Sequence, residues 1–562
     1  MSKPNADGIK LIMDQHSVLG DPWVPVYETP VDFKALHFEL AMANLIKQPN
    51  INSTVIMRAD ILKENIYDPG RGDSTFTSKL ILEIPSFPTS DQDHQHDDEH
   101  EHDEVLTRYL DDVTLRTIPL NNSTIQLHTK CEAIRRMIPR NPFKDHIINQ
   151  TCLILTSSNA TSVLVVYIPH IKSEDEIPFY LPPVYGVGIL YHDCKLSIQY
   201  LPFNYNTDPL ASPKLRGLDV AERPIRIALR LLKTSDKHSN GQMTGYEKRV
   251  YHDLVVPKVN FQNRYITLKK KYSSHLVNNW TESTDPRKHV FEDLAIAAFL
   301  IELWDLHYTN APDFEFRDLG CGNGLLVYIL INEGYKGKGI DARQRKSWKT
   351  YPEEVQQCLL EQVIVPSILL KPHPAVRQLN PKITDNGRVF RVNGRNNHPP
   401  TTYKSADLLH NPMVCTTEDF PTNTFIIGNH SDELTCWIPL LGFPFMVIPC
   451  CSHALNGSRA RYHPRKTIVK TGVQPVALMY GCLVDHVEDL SKQMGWIVEK
   501  EMLRIPSTRN AAIIGMNKLL THKSDPPDDV DTRVLDLIAS EGGADGWVEN
   551  CMLLTTLSPR GH

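Results

Sequence analysis

The chain has 562 residues, of which 41% are hydrophobic and 22% charged, and its formal net charge is −6. This length and composition are typical of a globular protein with several domains and exclude a chain too polar to bury a core. No run of about 18 apolar residues is present, which excludes a membrane-spanning helix, and we expect no secretory signal because the first residues lack an apolar segment.

The eleven cysteines are widely spaced and include no Cys-x-x-Cys pair. This pattern predicts neither a disulfide framework nor a zinc ribbon, and it indicates a reducing compartment such as the cytoplasm. The densest cluster is Cys450-Cys451-Ser452-His453. Because adjacent cysteines rarely reach one tetrahedral metal ion, we predict thiols at the end of a buried strand here and no stable metal site.

The N-terminal region, residues 1–90, contains a predicted helix at Asp32–Lys47 and predicted strands at Thr54–Arg58 and Lys79–Ile84. Residues 91–104 then hold eight acidic residues, four histidines and no apolar residue. Such a segment cannot bury a core, so it is predicted to be a disordered loop. Removing its eight negative charges from the total of −6 leaves +2 for the rest of the chain.

Residues 105–275 combine a β-rich block with a basic region. The window Lys214–Lys271 holds 14 Lys and Arg residues against five Asp and Glu residues, with Tyr and Phe interleaved. Within it, Arg226 and Arg230 are four residues apart and would share one face of a helix. Basic groups contact phosphates and aromatic rings stack on unpaired bases, so this region predicts contact with nucleic acid. A solvated helix face is the alternative.

Residues 276–520 alternate between strand and helix patterns, which predicts a doubly wound parallel α/β sheet. A polar stretch at about 374–402 is interpreted as an insertion loop, and residues 521–562 as a C-terminal tail. The predicted strands are Phe314–Leu319, Lys338–Ile340, Thr424–Gly428, Phe443–Ile448, Trp496–Leu503 and Ala511–Gly515. The predicted helices are His289–Leu306, Leu325–Glu333, Glu433–Leu441 and Val476–Met494.

A glycine loop, DLGCGNG from Asp318 to Gly324, lies between the first predicted strand of this α/β region and the helix that follows. Its spacing is G-x-G-x-G and departs from the dinucleotide fingerprint G-x-G-x-x-G. The acid that precedes the glycines would repel a pyrophosphate but suits an amino group and a sulfonium. The loop therefore resembles that of Rossmann-like class I S-adenosylmethionine-dependent methyltransferases. We predict cofactor contacts from Asp318, Gly320, Gly322 and Gly324, and from Asp341, which can accept hydrogen bonds from a ribose.

The strand predicted at Thr424–Gly428 ends in the polar sequence NHSDE. Ligands bind at the carboxyl ends of such strands, so we expect Asn429 to contact the cofactor. Asp432 and His430, with Glu433 as a third candidate, are suited to be the general base that an oxygen acceptor needs. Helix capping is the alternative for Asp432, and a packed side chain is the alternative for His430. The (D/N)-P-P-aromatic motif of enzymes that methylate exocyclic amines of bases is absent.

Pro449-Cys450 offers a competing chemistry. Enzymes that methylate carbon five of RNA pyrimidines resemble one another in a Pro-Cys nucleophile, whose thiolate attacks the ring. Such a thiol needs a lowered pKa. The pair follows the predicted strand Phe443–Ile448, one strand beyond the expected place, so this chemistry ranks second.

Nine arginines are candidates for contact with nucleic-acid phosphates, because a guanidinium group recognises phosphate oxygens. They include the pair on the predicted helical face, two residues shortly after Asp341, and two in the loop between the last predicted strands. Surface ion pairs are the alternative for each of them. The nine residues are Arg135, Arg136, Arg140, Arg226, Arg230, Arg343, Arg345, Arg504 and Arg509.

Eight segments between Arg135 and Asn510 together resemble the eukaryotic tRNA (uracil-2′-O-)-methyltransferases that modify uridine 44 of serine tRNA. They are RRMIPRNPFKD from Arg135, PFYLPPVYGVGILYH from Pro178, TDPRKHVFEDLAIAAFL from Thr284, DLGCGNGLLVYIL from Asp318, GKGIDARQRKSW from Gly337, IIGNHSDELTCWIPL from Ile426, MVIPCC from Met446 and LRIPSTRN from Leu503.

The resemblance implies cofactor binding by Asp318, Gly320, Gly322 and Asp341, and tRNA as the substrate. It makes a Cys450 nucleophile less favoured, and it does not identify the general base. We therefore expect a cytoplasmic enzyme in which an N-terminal α+β substrate region precedes a Rossmann-like methyltransferase domain. An RNA-binding protein that kept this fold but lost activity is the remaining alternative.

Overall fold

The computed structural model describes residues 8–67, 77–78, 110–142, 144–245, 252–308, 314–393, 399–464, 479–519 and 526–556. The chain divides into two compact units, Met1–Lys248 and Arg249–His562. The boundary predicted after residue 275 is therefore too late, and the basic window Lys214–Lys271 is split between the two units. The predicted acidic loop and the predicted strand at Lys79–Ile84 lie outside the described residues. No helix in the described parts of the chain is long and apolar enough to cross a membrane.

The first unit is built on an antiparallel sheet with strand order β1-β2-β9-β8-β7-β6-β5-β3-β4. The strands are β1 (Lys10–Leu11), β2 (Val24–Pro30), β3 (Ile56–Ile66), β4 (Thr77–Ser78), β5 (His128–Pro139), β6 (Ile148–Thr156), β7 (Val163–Pro169), β8 (Gly186–His192) and β9 (Lys195–Leu201). The helices are α1 (Ala35–Lys47), α2 (Ala211–Arg216) and α3 (Arg223–Met243). Apolar residues of α1, α3 and one face of the sheet form a shared core, in which Phe38, Ile198 and Leu232 are fully buried.

Two of the arginines predicted to contact RNA are internal to this unit. Arg135 is buried and donates hydrogen bonds to Gln150 and to the backbone carbonyls of Leu45 and Ile46. Arg136 is likewise buried and donates to the side chain of Asn149. A guanidinium removed from solvent must be satisfied within the fold, so the prediction that these two residues bind RNA is wrong.

The second unit contains a seven-stranded sheet with order β12-β11-β10-β17-β18-β20-β19, in which β12, β11, β10, β17 and β18 are parallel and β20 is antiparallel to both of its neighbours. The order reverses between β10 and β17, so the sheet has a topological switch point there. The strands are β10 (Glu315–Leu319), β11 (Gly337–Asp341), β12 (Leu359–Glu361), β17 (Thr424–Asn429), β18 (Phe445–Ile448), β19 (Trp496–Met502) and β20 (Ala511–Lys518).

Two smaller sheets and nine described helices complete this unit. The small sheets pair β13 (Val363–Val365) with β16 (Val414–Thr416) and β14 (Val389–Val392) with β15 (Thr401–Lys404). The helices are α4 (Lys258–Asn278), α5 (Pro286–His307), α6 (Leu325–Asn332), α7 (Glu353–Gln356), α8 (Pro374–Leu379), α9 (Ser405–Leu408), α10 (Met479–Gln493), α11 (Pro527–Ser540) and α12 (Trp547–Thr555).

Alternation along the central strands divides the apolar residues between two cores, as expected for a sheet that is covered on both faces. Phe425 and Ile427 of β17 face a core formed with α4, α5 and α6. Ile426 faces the opposite core, which includes α10, α11 and α12. The strand and helix patterns predicted for this region are confirmed to within a few residues, with three exceptions.

The exceptions are one helix and two segments interpreted as irregular. The helix predicted at Glu433–Leu441 is replaced by two 3-10 turns, because Pro439 lacks a backbone N–H and clashes with the carbonyl four residues earlier. The insertion at 374–402 contains α8 and the β14–β15 hairpin, with Phe390 buried. The predicted C-terminal tail forms α11 and α12, with Trp547 buried and donating to the Ile364 carbonyl.

The start of the second unit is fixed by a single buried carboxylate. Glu501 of β19 accepts hydrogen bonds from the backbone N–H groups of Asp253 and Leu254, both at 2.7 Å, and of Val255 at 3.0 Å. Arg504 forms a bidentate ion pair with the Asp253 side chain at 2.8 and 2.5 Å. The Arg504 guanidinium therefore forms an ion pair within the fold, and its side chain remains 27% exposed. Its contact with RNA stays a prediction.

Candidate active site

A cavity of about 1150 Å³ opens at the carboxyl ends of the parallel strands of the second unit. It is lined by the loops that follow β10, β11, β17 and β18 and by the start of α5. This is the switch point of the sheet, where open α/β sheets bind their ligands. The predicted site residues that follow these strands are thus brought together.

The glycine loop has the predicted position between a strand and a helix, since β10 ends at Leu319 and α6 begins at Leu325. Gly320, Gly322 and Gly324 all have positive φ angles, of 76°, 55° and 74°. A Cβ at Gly324 would lie 2.9 Å from a methyl carbon of Leu359. At Gly322, by contrast, a Cβ would meet no atom within 4 Å, so the backbone there lies open to the cavity.

Asp318 is 1% exposed, and its Oδ1 atom has no hydrogen-bond partner among the described residues. Burial, together with the nearby carboxyl groups of Asp293 and Asp341, raises the pKa of Asp318 well above its ordinary value. A buried carboxyl group without a donor is costly in the free protein. It becomes favourable when a cationic ligand supplies the missing partner, so this residue fits the cofactor role predicted for it.

Asp341 lines the cavity and holds the glycine loop in place. Its Oδ2 atom accepts from the Gly322 N–H at 2.9 Å, and its Oδ1 atom accepts from the Arg343 N–H at 3.1 Å. Burial raises the pKa of Asp341, while the nearby Arg345 opposes that rise. Each carboxylate oxygen has more than one acceptor position, so Asp341 retains capacity for a ligand hydroxyl.

The helix α5 contributes two acidic residues that sequence reasoning missed. Asp293 is buried, and its carboxyl group accepts a hydrogen bond from the side-chain nitrogen of Asn429 at 2.9 Å. The side-chain oxygen of Asn429 is buried and has no partner in the described structure. Burial and the adjacent Glu292 raise the pKa of Asp293 to about 7. The signal was available, because Glu292-Asp293 is an acidic pair directly before the apolar run Leu294–Ile301 of this helix.

His430 pairs with the second of these acids. Its Nε2 atom lies 3.0 Å from Oε1 of Glu292, a residue that is itself buried. A carboxylate oxygen accepts a hydrogen bond from a ring nitrogen that carries a proton. This contact therefore favours the tautomer in which Nε2 carries the proton and Nδ1 is an acceptor. His430 has a φ of +54°, an unusual value for a residue other than glycine, and it lines the cavity.

Asp432 and Glu433 also line the cavity, and both are exposed. Asp432 does not cap a helix, because it lies inside a 3-10 turn that is preceded by Ser431. Its Oδ1 atom instead accepts from the thiol of Cys450 at 2.9 Å. Burial and this contact with Asp432 raise the pKa of Cys450. A nucleophilic cysteine requires the opposite shift, so the geometry disfavours attack by Cys450 on a pyrimidine ring.

The remaining predicted arginines are accessible. Arg343, Arg345 and Arg509 line the cavity. Arg226 and Arg230 are exposed on α3, and their predicted placement on one helical face is confirmed. Arg140 is exposed directly after β5. Sequence reasoning missed the part of the cavity wall formed by Trp547, Asn550 and Leu553 of α12, because that region was interpreted as a tail.

Two models of known protein families match this chain, and one of them covers the glycine loop and the start of the cavity wall. Residues 4–249 match the family model described as "TRM44-like, N-terminal bet v1-like domain". Residues 255–366, which contain α5, the glycine loop and Asp341, match the model described as "Predicted AdoMet-dependent methyltransferase". The chain is an S-adenosylmethionine-dependent methyltransferase that carries an N-terminal Bet v 1-like domain.

Three related proteins, each named tRNA (uracil-O(2)-)-methyltransferase, match along nearly their whole length. The protein from Debaryomyces hansenii is 65% identical over 98% of both chains. The protein from Kluyveromyces lactis is 52% identical over 98% of both chains. The protein from Saccharomyces cerevisiae is 51% identical over 99% of this chain and 97% of its own. This chain belongs to the family of tRNA (uracil-O(2)-)-methyltransferases.

Proposed function

We propose that this chain transfers a methyl group from S-adenosylmethionine to the ribose 2′-oxygen of uridine 44 in serine tRNA. The observation that carries the proposal is the cavity at the switch point of the sheet, where a buried carboxyl group without a partner lies near polar side chains of the β17 loop. The strand order supports a Rossmann-like class I methyltransferase domain. All eleven cysteines are free thiols, which supports a cytoplasmic location.

The residues of the cavity fit the cofactor. Asp318 and Asn429 each present a buried oxygen that lacks a donor among the described residues, and an ammonium group supplies donors. Asp341 has acceptor capacity for ribose hydroxyls, and the open backbone at Gly322 permits close approach of a ligand. When bound, S-adenosylmethionine supplies an electrophilic methyl group.

The chain's own contribution to the reaction is to orient the acceptor and to remove its proton. The proton of a ribose hydroxyl is weakly acidic, so a general base within hydrogen-bond reach accelerates transfer. We assign this role to His430, because Glu292 accepts from its Nε2 and leaves Nδ1 free to take a proton. The resulting imidazolium lies beside the buried Glu292 carboxylate, which stabilises its positive charge.

The direct test is to incubate the full chain with labelled S-adenosylmethionine and serine tRNA and to map the methylated nucleotide. The expected product carries the methyl group on the ribose of uridine 44. A methyl group on a base carbon would contradict the proposal and restore Cys450 as a nucleophile. Transfer to no RNA at all would favour the RNA-binding protein without activity.

Cofactor binding is expected to strengthen as pH rises towards about 7. Asp293 has a pKa of about 7 in the free protein, and the neighbouring Asp318 is also shifted upward. A bound cation stabilises the ionised carboxylates, so binding releases protons at lower pH, and affinity rises by up to about tenfold per pH unit for each carboxyl group.

Stability of the free protein should change in the opposite direction, since a carboxyl group whose folded pKa is raised favours the fold less as pH increases towards that pKa. Calorimetric titration with S-adenosylmethionine between about pH 5.5 and pH 7.5 measures the dependence, because an α-ammonium group stays largely protonated there. Affinity that is flat or that falls with pH contradicts this assignment. The Asp293→Asn variant should show a shallower dependence.

Removing the charges of Arg226 and Arg230 is expected to weaken tRNA binding. These residues are exposed on α3 together with Lys237, at helical positions that share one face. Each lost phosphate contact should lower the magnitude of the slope of log affinity against log salt by about 0.9, the value for duplex DNA. The doubly substituted R226Q/R230Q protein should therefore lose about two units of slope in filter-binding titrations.

A matched control removes two exposed lysines of the same unit, Lys34 and Lys195, by substitution with Gln. This variant lowers the net charge equally but leaves the α3 face intact, so its salt slope should stay close to that of the unchanged protein. An equal decrease in salt slope in both variants would show that tRNA binding depends only on overall charge and would refute a binding face on α3.

A further inference from the structure

Two loops at the carboxyl end of the sheet bring together three side chains that the proposed proton transfer does not use. Asp432 follows β17, while Cys450 and Cys451 follow the neighbouring parallel strand β18. A carboxylate oxygen and the two sulfur atoms all lie within 4.8 Å of one another. The Cys450 thiol already contacts Asp432 at 2.9 Å.

These separations suit the coordination sphere of a zinc ion. Bonds of about 2.3 Å to sulfur and about 2.0 Å to oxygen in a tetrahedral site place the ligand atoms roughly 3.5–3.8 Å apart. Because none of the observed separations exceeds 4.8 Å, side-chain rotations that move these atoms by about 1 Å achieve that geometry. Both loops follow paired strands, so their backbones are already held in position.

The charges of the cluster also match a divalent cation. Once both thiols have lost their protons to the solvent on metal binding, two thiolates and one carboxylate carry three negative charges. Arg509, whose Nη1 atom lies 3.5 Å from the Cys451 sulfur, supplies one positive charge. The remaining charge of −2 balances one divalent ion. Thiolate ligands select zinc over magnesium or calcium, which prefer oxygen ligands.

We propose that Asp432, Cys450 and Cys451 bind one zinc ion, with a fourth coordination position open to the cavity. Asp432 and Cys450 line that cavity, and three protein ligands with one open position are the pattern of zinc sites that hold water or a substrate oxygen. Sequence reasoning predicted no metal, because two adjacent cysteines are a poor ligand pair. The third ligand lies 18 residues before Cys450 and is brought close only by the fold.

The test uses the full chain, stripped of metal and kept reduced, and titrates it with cobalt as a spectroscopic substitute for zinc. We expect one cobalt ion per chain with the near-ultraviolet absorption of a cobalt–thiolate bond, displaced by zinc and unaffected by magnesium. The two thiols lose their protons on binding, so affinity should rise with pH. Cys450→Ser and Cys451→Ser should each weaken binding by roughly 100-fold or more, and Asp432→Asn by about tenfold.

Cys358→Ser is the control, because Cys358 is a partly exposed thiol of the same unit that does not line the cavity. The proposal is wrong if cobalt produces no thiolate absorption or if this control weakens binding as much as Cys450→Ser does. A second measurement needs no variant: zinc should slow alkylation of Cys450 and Cys451 in the unchanged protein but not of the exposed Cys194. Equal alkylation with and without zinc would also overturn the proposal.

Discussion

Replacing Asp318 by Asn is expected to weaken S-adenosylmethionine binding about 100-fold while leaving the cofactor-free protein equally or more stable. The carboxyl group is buried and lies near the carboxyl groups of Asp293 and Asp341, and in the described part of the chain its Oδ1 atom has no hydrogen-bond partner. Loss of one member of a buried charged pair costs about 3 kcal/mol of binding free energy, which corresponds to the predicted change in affinity. An amide of the same shape relieves the repulsion between the acids, so the unfolding temperature should not fall.

Two ligands distinguish what Asp318 contacts. S-adenosylhomocysteine keeps the ammonium group but lacks the sulfonium charge. If the substitution weakens the binding of both ligands equally, Asp318 contacts the ammonium group. Weakening of S-adenosylmethionine alone would place it against the sulfonium. Glu315→Gln is the matched control, because it removes a carboxylate at the opposite end of β10. Unchanged affinity of the Asp318 variant for both ligands would rule out a direct cofactor contact.

Replacing His430 by Ala is expected to lower kcat by 10² to 10⁴, the range typical of a lost general base. KM for tRNA should change little, because His430 is assigned to proton removal rather than to RNA binding. Glu292→Gln should cause a smaller loss of kcat, since an amide oxygen still accepts from Nε2 but no longer stabilises the imidazolium charge. Single-turnover kinetics with serine tRNA separates these effects from product release.

The control for His430 is His410→Gln, which changes an exposed histidine in the same unit. A large loss of kcat in Asp432→Asn together with near-normal activity in His430→Ala would transfer the role of general base to Asp432. Loss of activity in Cys450→Ser alone, with the methyl group found on a base, would contradict both assignments.

Local patterns were sufficient to predict the elements that carry the candidate cofactor residues. The strand, the glycine loop and the helix around Asp318 are adjacent in sequence, and Asp341 ends the next strand along the chain. Each of these features depends on nearby residues, because glycine permits the positive φ angles of the loop and apolar runs define the strands.

The features that sequence reasoning missed depend on contacts between distant residues. Arg135 resembles a surface cation until the carbonyls of Leu45 and Ile46 are seen to accept its hydrogen bonds. Asp293 becomes a candidate only because β17 brings Asn429 against it. Composition also gave no sign that α12 would form part of the cavity wall.

The hydrogen bonds of Glu501 have a practical consequence for dissecting the molecule. A recombinant fragment of the second unit that begins at residue 252 retains the three N–H donors of this buried carboxylate. A fragment that begins at residue 276, where the sequence alone suggested the boundary, removes all three and also leaves Arg504 without its ion-pair partner Asp253. Because an unpaired buried charge is strongly destabilising, the choice of first residue decides whether such a fragment is a fair test of catalysis without the N-terminal unit.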